Sequence, residues 1–495
     1  MLLQVLLIPL VASAVIFVAR RRVARQAGWI AAMALLYTTG VSLFVTVKVH
    51  RIGPIAEDYF VIAPGVRLGL LADGLSAPTL SVVLLLCTAL AFYSIRYVEH
   101  RVEILYYSED EVAQARYYAR FFYLLPFFPV GFIGTILSTN LVAMYFFMEV
   151  LTVTLFFLMA YFGYQERVRV AFVSLSWGII GALGFLVGSL VVYSQTGSLE
   201  IAELSRLAGT PVVTGAILLF VVSLMMKLAV VPLHVWMPSV HAEHPTCIAG
   251  LLAVYANLAV YILIRVTVIP LGDDFARFGP PLMVLALLTM VYGSLLALAQ
   301  TDIKRLAACS TISQIAYSVL GLAALTSASV EGSMFFFLSH IMGKTVFFST
   351  AGIVVYVTGI RDMDQLGGLA RKMPVTAGLW IVGCMMLSGF PPFSSFTAEW
   401  IMFTGIFERG AQDGPLTIAV AIGGITAILL TVAYTFGAAR RVFFGPLSPE
   451  LAEADLSDPR WTMTVPLMVV AGLSMALGLY PRPVMELLHA VIGGS

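Results

Sequence analysis

Five ionisable side chains stand in stretches that are otherwise apolar. Glu149 lies in "NLVAMYFFMEVLTVTLFFLMAYF", Lys227 in "VSLMMKLAVVPLHVWMP", His340 and Lys344 in "MFFFLSHIMGKTVFFSTAG", and Glu399 in "LSGFPPFSSFTAEW". These residue types can exchange protons, and none is at ease alone in hydrocarbon, where a mid-helix charge costs at least about 2.5 kcal/mol. Each must therefore pair, meet water or be neutral. His340 and Lys344 are one helical turn apart on one face. A carboxylate that moves, or changes its proton, would switch a neighbouring lysine between holding and releasing one. The set has the chemistry of a proton relay. A plainer reading also stands, with Glu149 and Lys227 as one buried ion pair that locks two helices and His340 as a hydrogen-bonded core histidine. Groups spread over several helices fit a relay better than a lock, because a buried pair often stabilises no more than an apolar one.

The elements that must position these groups are marked by prolines. Pro232 follows Lys227 and is succeeded by His234, His241, Glu243 and His244, and Pro391 and Pro392 precede Glu399. Proline breaks a helix by removing a donor and crowding the preceding turn. In lipid the freed backbone groups must be satisfied by protein or water, so the carbonyls next to Lys227 are expected to hold water near the charge. A window of about 20 residues finds roughly fourteen membrane spans. They run near 2–19, 28–47, 73–94, 118–138, 139–162, 168–194, 213–238, 246–269, 279–299, 304–326, 330–358, 374–408, 415–439 and 462–484. The two proline breaks fall in the seventh and twelfth. The expected fold is an all-α polytopic membrane protein. Residues 1–117 carry its first three helices, 118–269 and 279–445 are two five-helix repeats inverted relative to each other, and 461–495 hold the last helix.

Composition agrees. The chain is 60% hydrophobic and 11% charged, against about 25% charged in soluble domains. A net charge of +1 leaves no basic face for nucleic acid. Cys87, Cys247, Cys309 and Cys384 lie far apart, without metal-site spacing, and read as small buried hydrophobes. No metal and no cofactor is expected in this chain. The first apolar run precedes its arginines and reads as a membrane helix, not a signal peptide. Basic residues cluster after odd-numbered spans, from Arg20, Arg21, Arg22 and Arg25 to Arg440 and Arg441. Cytoplasmic loops carry such an excess, which places both termini on the non-cytoplasmic side of the cell (inner) membrane. Residues 48–72 are expected to form an external loop with short strands, and 95–117 a cytoplasmic surface helix or loop. Asp302, Lys304 and Arg305 read as a cap and charge anchor, Gln314 as inward-facing, and Arg265 as snorkelling to the interface.

Several stretches resemble the antiporter-like subunits shared by respiratory complex I, membrane-bound hydrogenases and Mrp-type Na+/H+ antiporters. They are "LADGLSA", "PLHVWMPSVHAEHPT", "QTDIKRLAACSTISQ", "FFLSHIMGKTVFF" and "GFPPFSSFTAEW", in that order along nearly the whole chain. Length and the final "LGLYPRPVMELL" suit the M type of complex I or the D type of Mrp. The resemblance implies that Glu149 tunes Lys227, that His340 carries protons, and that Glu399 occupies a site where other members use lysine. It also places His241 in the connection after the broken helix. Asn257 stands where the family usually has a lysine, with Lys344 available to compensate, and Pro238–Ser239 replaces a usual proline–aspartate. The implied protein is a proton-translocating subunit of an NADH:quinone oxidoreductase-like translocase, with the redox centres in partner subunits. Its partners are other membrane subunits, the lipid bilayer and H+ or Na+. A subunit of an Mrp-type antiporter is the alternative, and a scaffold with degenerate transport is a third reading.

Overall fold

The computed structural model describes residues 1–63 and 66–493, so the last two residues of the expected C-terminal segment 461–495 lie outside it. The chain opens with α1 (Leu2–Ala19) and α2 (Ala27–Ile52), a hairpin of β1 (Ile55–Ala63) and β2 (Val66–Ala72), and α3 (Ser76–Leu105). Next come α4 (Glu111–Leu124), α5 (Phe127–Leu137), α6 (Leu141–Phe162), α7 (Arg167–Thr196) and α8 (Val213–Lys227). The short α9 (Met237–Glu243) leads to α10 (Ala249–Leu263), α11 (Ile269–Phe275), α12 (Gly279–Leu298), α13 (Ile303–Ala324) and the long α14 (Ser327–Thr358). The remainder is α15 (Pro374–Leu387), α16 (Ser394–Asp413), α17 (Pro415–Phe443), α18 (Pro449–Glu453), α19 (Trp461–Leu479) and α20 (Arg482–Ile492).

Among the described residues, eleven helical stretches are long and apolar enough to cross a membrane. One of them, Thr246–Leu298, takes in two of the expected spans, and the shorter apolar helices Val213–Lys227 and Pro374–Leu387 are those that end at the proline breaks. Local sequence sets the helix starts. Asn140 accepts from the amides of Val142 and Ala143, Asp302 from those of Lys304 and Arg305, and Thr326 forms a reciprocal capping box with Ser329. α14 lies at the centre, packed on α10, α13, α15, α16, α19 and α20. Gly250 permits the close approach of α10, since a Cβ there would stand 2.7 Å from the Thr345 hydroxyl. All four cysteines are buried, as expected of small apolar side chains.

Two expectations about the flanks change. Segment 95–117 is not a separate surface element. α3 continues to Leu105, because Val98 and Val102 are buried and Arg101 donates to the carbonyls of Phe162 and Gly163 at 3.2 and 2.5 Å. α4 then starts at Glu111, capped by Asp110, within a crossing-length stretch Glu111–Leu137. The expected strands in 48–72 form an antiparallel hairpin with Ile55 opposite Ala72. Its Glu57 gathers the Met1 ammonium at 2.7 Å and the amides of Leu2 and Leu3. Burial opposes its charge, but these donors and the Tyr59 hydroxyl more than offset that and hold the carboxyl at about 2.

Candidate functional site

The site is built around two helix ends of the same design. α8 stops at Lys227, and Ala229 adopts a left-handed φ of 51°. The amide of Val230 bonds the Met225 carbonyl at 3.2 Å and that of Ala229 the Met226 carbonyl at 3.3 Å. This is a Schellman closure with alanine where glycine is usual. The Trp236 indole adds a bond to the Met226 carbonyl at 3.0 Å. α15 ends in the same way. Gly389 has a φ of 64°, the Phe390 amide reaches the Met385 carbonyl at 3.1 Å, and the Ser395 hydroxyl bonds the Met386 carbonyl. The chain's own donors thus take the carbonyls of Met225 and Met226 beside Lys227.

Lys227 is the last residue of α8, where the negative end of the helix dipole favours its charge. Its Nζ donates to the Tyr255 hydroxyl at 3.2 Å, and its ammonium lies 4.8 Å from the centre of that ring. The same hydroxyl meets Thr152 at 3.1 Å. Thr152 sits on α6 three residues beyond Glu149. Glu149 is half-buried and within electrostatic range of Lys227, yet no contact within 4.0 Å joins them. The locked ion pair of the plainer reading is absent, and Oε1 of Glu149 is buried without a protein partner.

Asn257 lies two residues further along α10 and points to another side of that helix; its Oδ1 lies 3.0 Å from Nδ1 of His340 and its amide donates to the Ala253 carbonyl at 2.7 Å. Asn257 thus joins the first half of the chain to α14. One turn on, Lys344 donates to the Ala307 carbonyl at 3.1 Å and to the Ser310 hydroxyl on α13. His241 is fully buried with both ring nitrogens unpartnered, within electrostatic range of His340, and its ring lies 5.6 Å from that of Phe348. Further along α13, Gln314 donates to Thr431 at 3.0 Å and Tyr434 at 3.4 Å. Tyr317 carries a buried unpartnered hydroxyl in the field of Glu399. The Glu399 carboxylate rests against Gly389, which leaves no room for a Cβ.

Six of the buried positions expected from sequence, Lys227, Asn257, His340, Lys344, Gln314 and Glu399, thus form one buried set carried by α8, α10, α13, α14 and α16, with Glu149 and His241 beside it. His234 does not join it. It packs edge-on against Tyr292, whose ring is 44% exposed, at the periphery. Lys304 is more than a surface anchor. It is fully buried, donates to the His244 carbonyl at 2.6 Å and stands 3.7 Å from the centre of the Tyr164 ring. Arg101 and Arg361 flank the same ring at 4.1 and 5.3 Å. Arg265 does not snorkel; it is part-buried and forms a bidentate pair with Asp73 at 2.6 and 2.7 Å. Asp73 lies before α3, and burial opposes its charge, but Arg265 and Ser76 outweigh that and hold its carboxyl below the usual carboxylate range. Sequence reasoning missed Tyr255, Tyr164 and Asp73. Tyr255 stands in an apolar run, where an aromatic ring gives no polar signal, Tyr164 reads as an ordinary loop aromatic before a charged turn, and Asp73 pairs across 192 residues.

The arrangement is that of a helical membrane protein with ionisable side chains buried among its helices. A family profile described as "NADH:quinone oxidoreductase/Mrp antiporter, TM" matches residues 138–429, and the chain belongs to that family. It is 31% identical to NAD(P)H-quinone oxidoreductase chain 4 1 of Synechococcus sp. (strain JA-3-3Ab), over 86% of this chain and 79% of the relative. Putative antiporter subunit mnhD2 of Staphylococcus aureus (strain MRSA252) is 30% identical over 76% of this chain and 74% of its own. A chain in the structure of respiratory complex I from Thermus thermophilus with bound NADH superposes with a TM-score of 0.85, at 20% identity, covering 100% of this chain and 99% of that one. The protein is an antiporter-like, multi-pass membrane subunit of a family shared by complex I-related and Mrp complexes.

Proposed function

We propose that this chain translocates protons as the M-type subunit of a complex I-related redox complex, coupling electron transfer in partner subunits to ion movement. The observation that carries the reading is the buried set of ionisable and polar groups, with Lys227 bonded to Tyr255, Asn257 to His340, Lys344 to Ser310 and Gln314 to Thr431, and with Tyr317 in the field of Glu399. Buried polar atoms left without protein partners, on Glu149, His241, His340, Gln314 and Tyr317, add to it. Native interiors satisfy such groups with water, and water beside ionisable groups conducts protons. Asn257 cannot carry a proton, but it holds His340 directly and leaves Lys344 as the second lysine of the series.

The matched ends of α8 and α15 support two five-helix repeats, 118–269 and 279–445, inverted within about fourteen crossings. In both, a left-handed residue closes the helix and a later side chain bonds the carbonyl three residues before it. The arginine distribution supports termini on the non-cytoplasmic side of the cell membrane.

The test is purification of the intact assembly in mild detergent with identification of its subunits and assay of iron and flavin, together with redox-driven proton uptake in vesicles. Co-purifying redox subunits are expected. A set of purely membrane subunits, with cation flux driven by a proton gradient, would give the Mrp reading instead, which the antiporter relative favours.

A further inference from the structure

Outside the polar line, four arginines converge where the end of α1 meets α4. Arg20, Arg21, Arg116 and Arg120 line one cleft of about 380 Å³, together with Phe17 and Tyr123. The two rings pack edge to face at 5.2 Å, and the Ser13 hydroxyl donates to the Tyr123 carbonyl at 2.5 Å, so the cleft wall is fixed. Two guanidiniums are held by rings as well. Arg20 lies 4.5 Å from the centre of Phe17, and Arg120 lies 4.7 and 5.1 Å from Tyr161 and Tyr117.

Among the described residues, no carboxylate stands within 4.0 Å of any of these four arginines. The neighbouring Glu111 is taken by Arg25 at 3.0 Å, outside the cleft. Like charges gathered in one cleft repel one another, and an anion seated among them relieves that repulsion. Planar guanidiniums match phosphate oxygens in pairs. The cleft also opens beside an apolar track. Leu7 and Phe17 are 44% and 48% exposed, and the spacing of Leu7, Leu10, Phe17 and Arg21 puts them on one face of α1. Aromatic rings next to arginines at the end of a membrane helix mark headgroup depth.

We propose that this cleft binds the phosphodiester headgroup of an anionic phospholipid, with an acyl chain along Leu7, Leu10 and Phe17. The apolar track selects a lipid over a free phosphate, which would have no use for it. The proposal is independent of the proton path, since none of these residues belongs to that line.

The experiment titrates the delipidated full-length protein in detergent with phosphatidylglycerol and with phosphatidylcholine, and counts bound lipid by native mass spectrometry. Phosphatidylglycerol is expected to bind at one saturable site, and phosphatidylcholine much more weakly. Arg116→Gln with Arg120→Gln should weaken phosphatidylglycerol about 30-fold, the loss of two basic side chains at about 1 kcal/mol each. Arg22→Gln with Arg305→Gln removes the same charge outside the cleft and should leave binding unchanged. Should the first pair fail to fold, as judged by helicity and elution, Arg20→Gln with Arg21→Gln replaces it with the same expectation. Equal losses from cleft and control pairs, or none from either, would overturn the site. Displacement of the lipid by millimolar inorganic phosphate would overturn the lipid assignment.

Discussion

The ammonium of Lys227 reaches the hydroxyl of Tyr255, at 3.2 Å, and not the carboxylate of Glu149. That hydroxyl also meets Thr152 at 3.1 Å on the helix that carries Glu149. The phenol is therefore the hinge of the first half of the polar line. It can accept from a charged lysine, or donate to a neutral one, without leaving its place. Tyr255→Phe keeps the ring and removes this switchable partner. A hydrogen bond to a charged group contributes about 1.5–3 kcal/mol, so proton uptake in vesicles should fall about tenfold or more while assembly stays intact. Parental uptake in an assembled Tyr255→Phe protein would leave Tyr255 with a packing role only.

Glu149 stands near Lys227 without touching it, so its action must be through space. Charge then matters more than shape. Glu149→Ala is expected to abolish or severely reduce pumping, and Glu149→Asp to retain part of it. Both are to be compared in vesicles at equal assembly on native gels. Normal pumping by Glu149→Ala would reduce the residue to packing.

Asp73 and Arg265 tie the start of α3 to the end of α10 through a buried bidentate pair. Removing one partner from such a pair strands the other and costs about 3–5 kcal/mol, whereas replacing both with apolar residues is often close to neutral. Asp73→Asn should lower the thermal unfolding temperature markedly, and Asp73→Leu combined with Arg265→Leu should recover much of it. The pH dependence follows from the lowered carboxyl of Asp73. A carboxyl depressed on folding stabilises fully above its unfolded value, about 3.9, and that contribution is lost as pH falls through the lower folded value. The parent should therefore lose stability on acidification below that unfolded value more steeply than Asp73→Asn. Equal acid slopes would contradict the assignment.

The two helix closures place different residues at the left-handed position, Ala229 against Gly389. A left-handed backbone costs a side-chain-bearing residue about 1–2 kcal/mol, part of which glycine would return as lost chain entropy. Ala229→Gly should raise stability by up to about 1 kcal/mol, read from thermal unfolding. Gly389→Ala should do the reverse and also disturb transport, because a Cβ there would collide with the Glu399 carboxylate. A Gly389→Ala protein with parental stability and transport would show that the carboxylate is free to move aside.

The legible part of this molecule was what hydropathy and proline write plainly. Apolar runs gave the helices, Pro232 and Pro391–Pro392 gave the breaks, and lone ionisable residues gave most of the line. What was not legible depends on which partner a group finds. Nothing in "KLAVVP" says that Ala229 and Val230 turn back to cap Met226 and Met225, or that Trp236 completes the closure. Arg265 near a helix end has the sequence of a snorkelling residue, and only the fold brings Asp73 to it. Tyr255 and Tyr164 carry their roles on hydroxyl and ring contacts that apolar patterning hides. Lys304 looked like a surface charge because Asp302 and Arg305 flank it, yet its helix face points inward to His244.

Lys227 decides between a titrating group and a fixed counter-charge. It ends α8, where the helix dipole favours its ammonium. Its single hydrogen-bond partner among the described residues is a hydroxyl that can serve either protonation state. Because the adjoining carbonyls of Met225 and Met226 are already bonded, the backbone does not pin the ammonium, and the side chain can let go of a proton without stranding an acceptor. Lys227→Met removes the amine that the proposed path needs and should disable translocation while leaving assembly intact. Lys227→Arg keeps the charge, but arginine stays protonated in proteins and its planar fork does not reproduce one point donor to Tyr255, so it too should pump poorly. Proton uptake in vesicles is measured for both, with assembly checked on native gels. If Lys227→Arg pumps at the parental rate, deprotonation here is not part of the cycle, and Lys227 serves as a fixed charge that Glu149 and its neighbours titrate against.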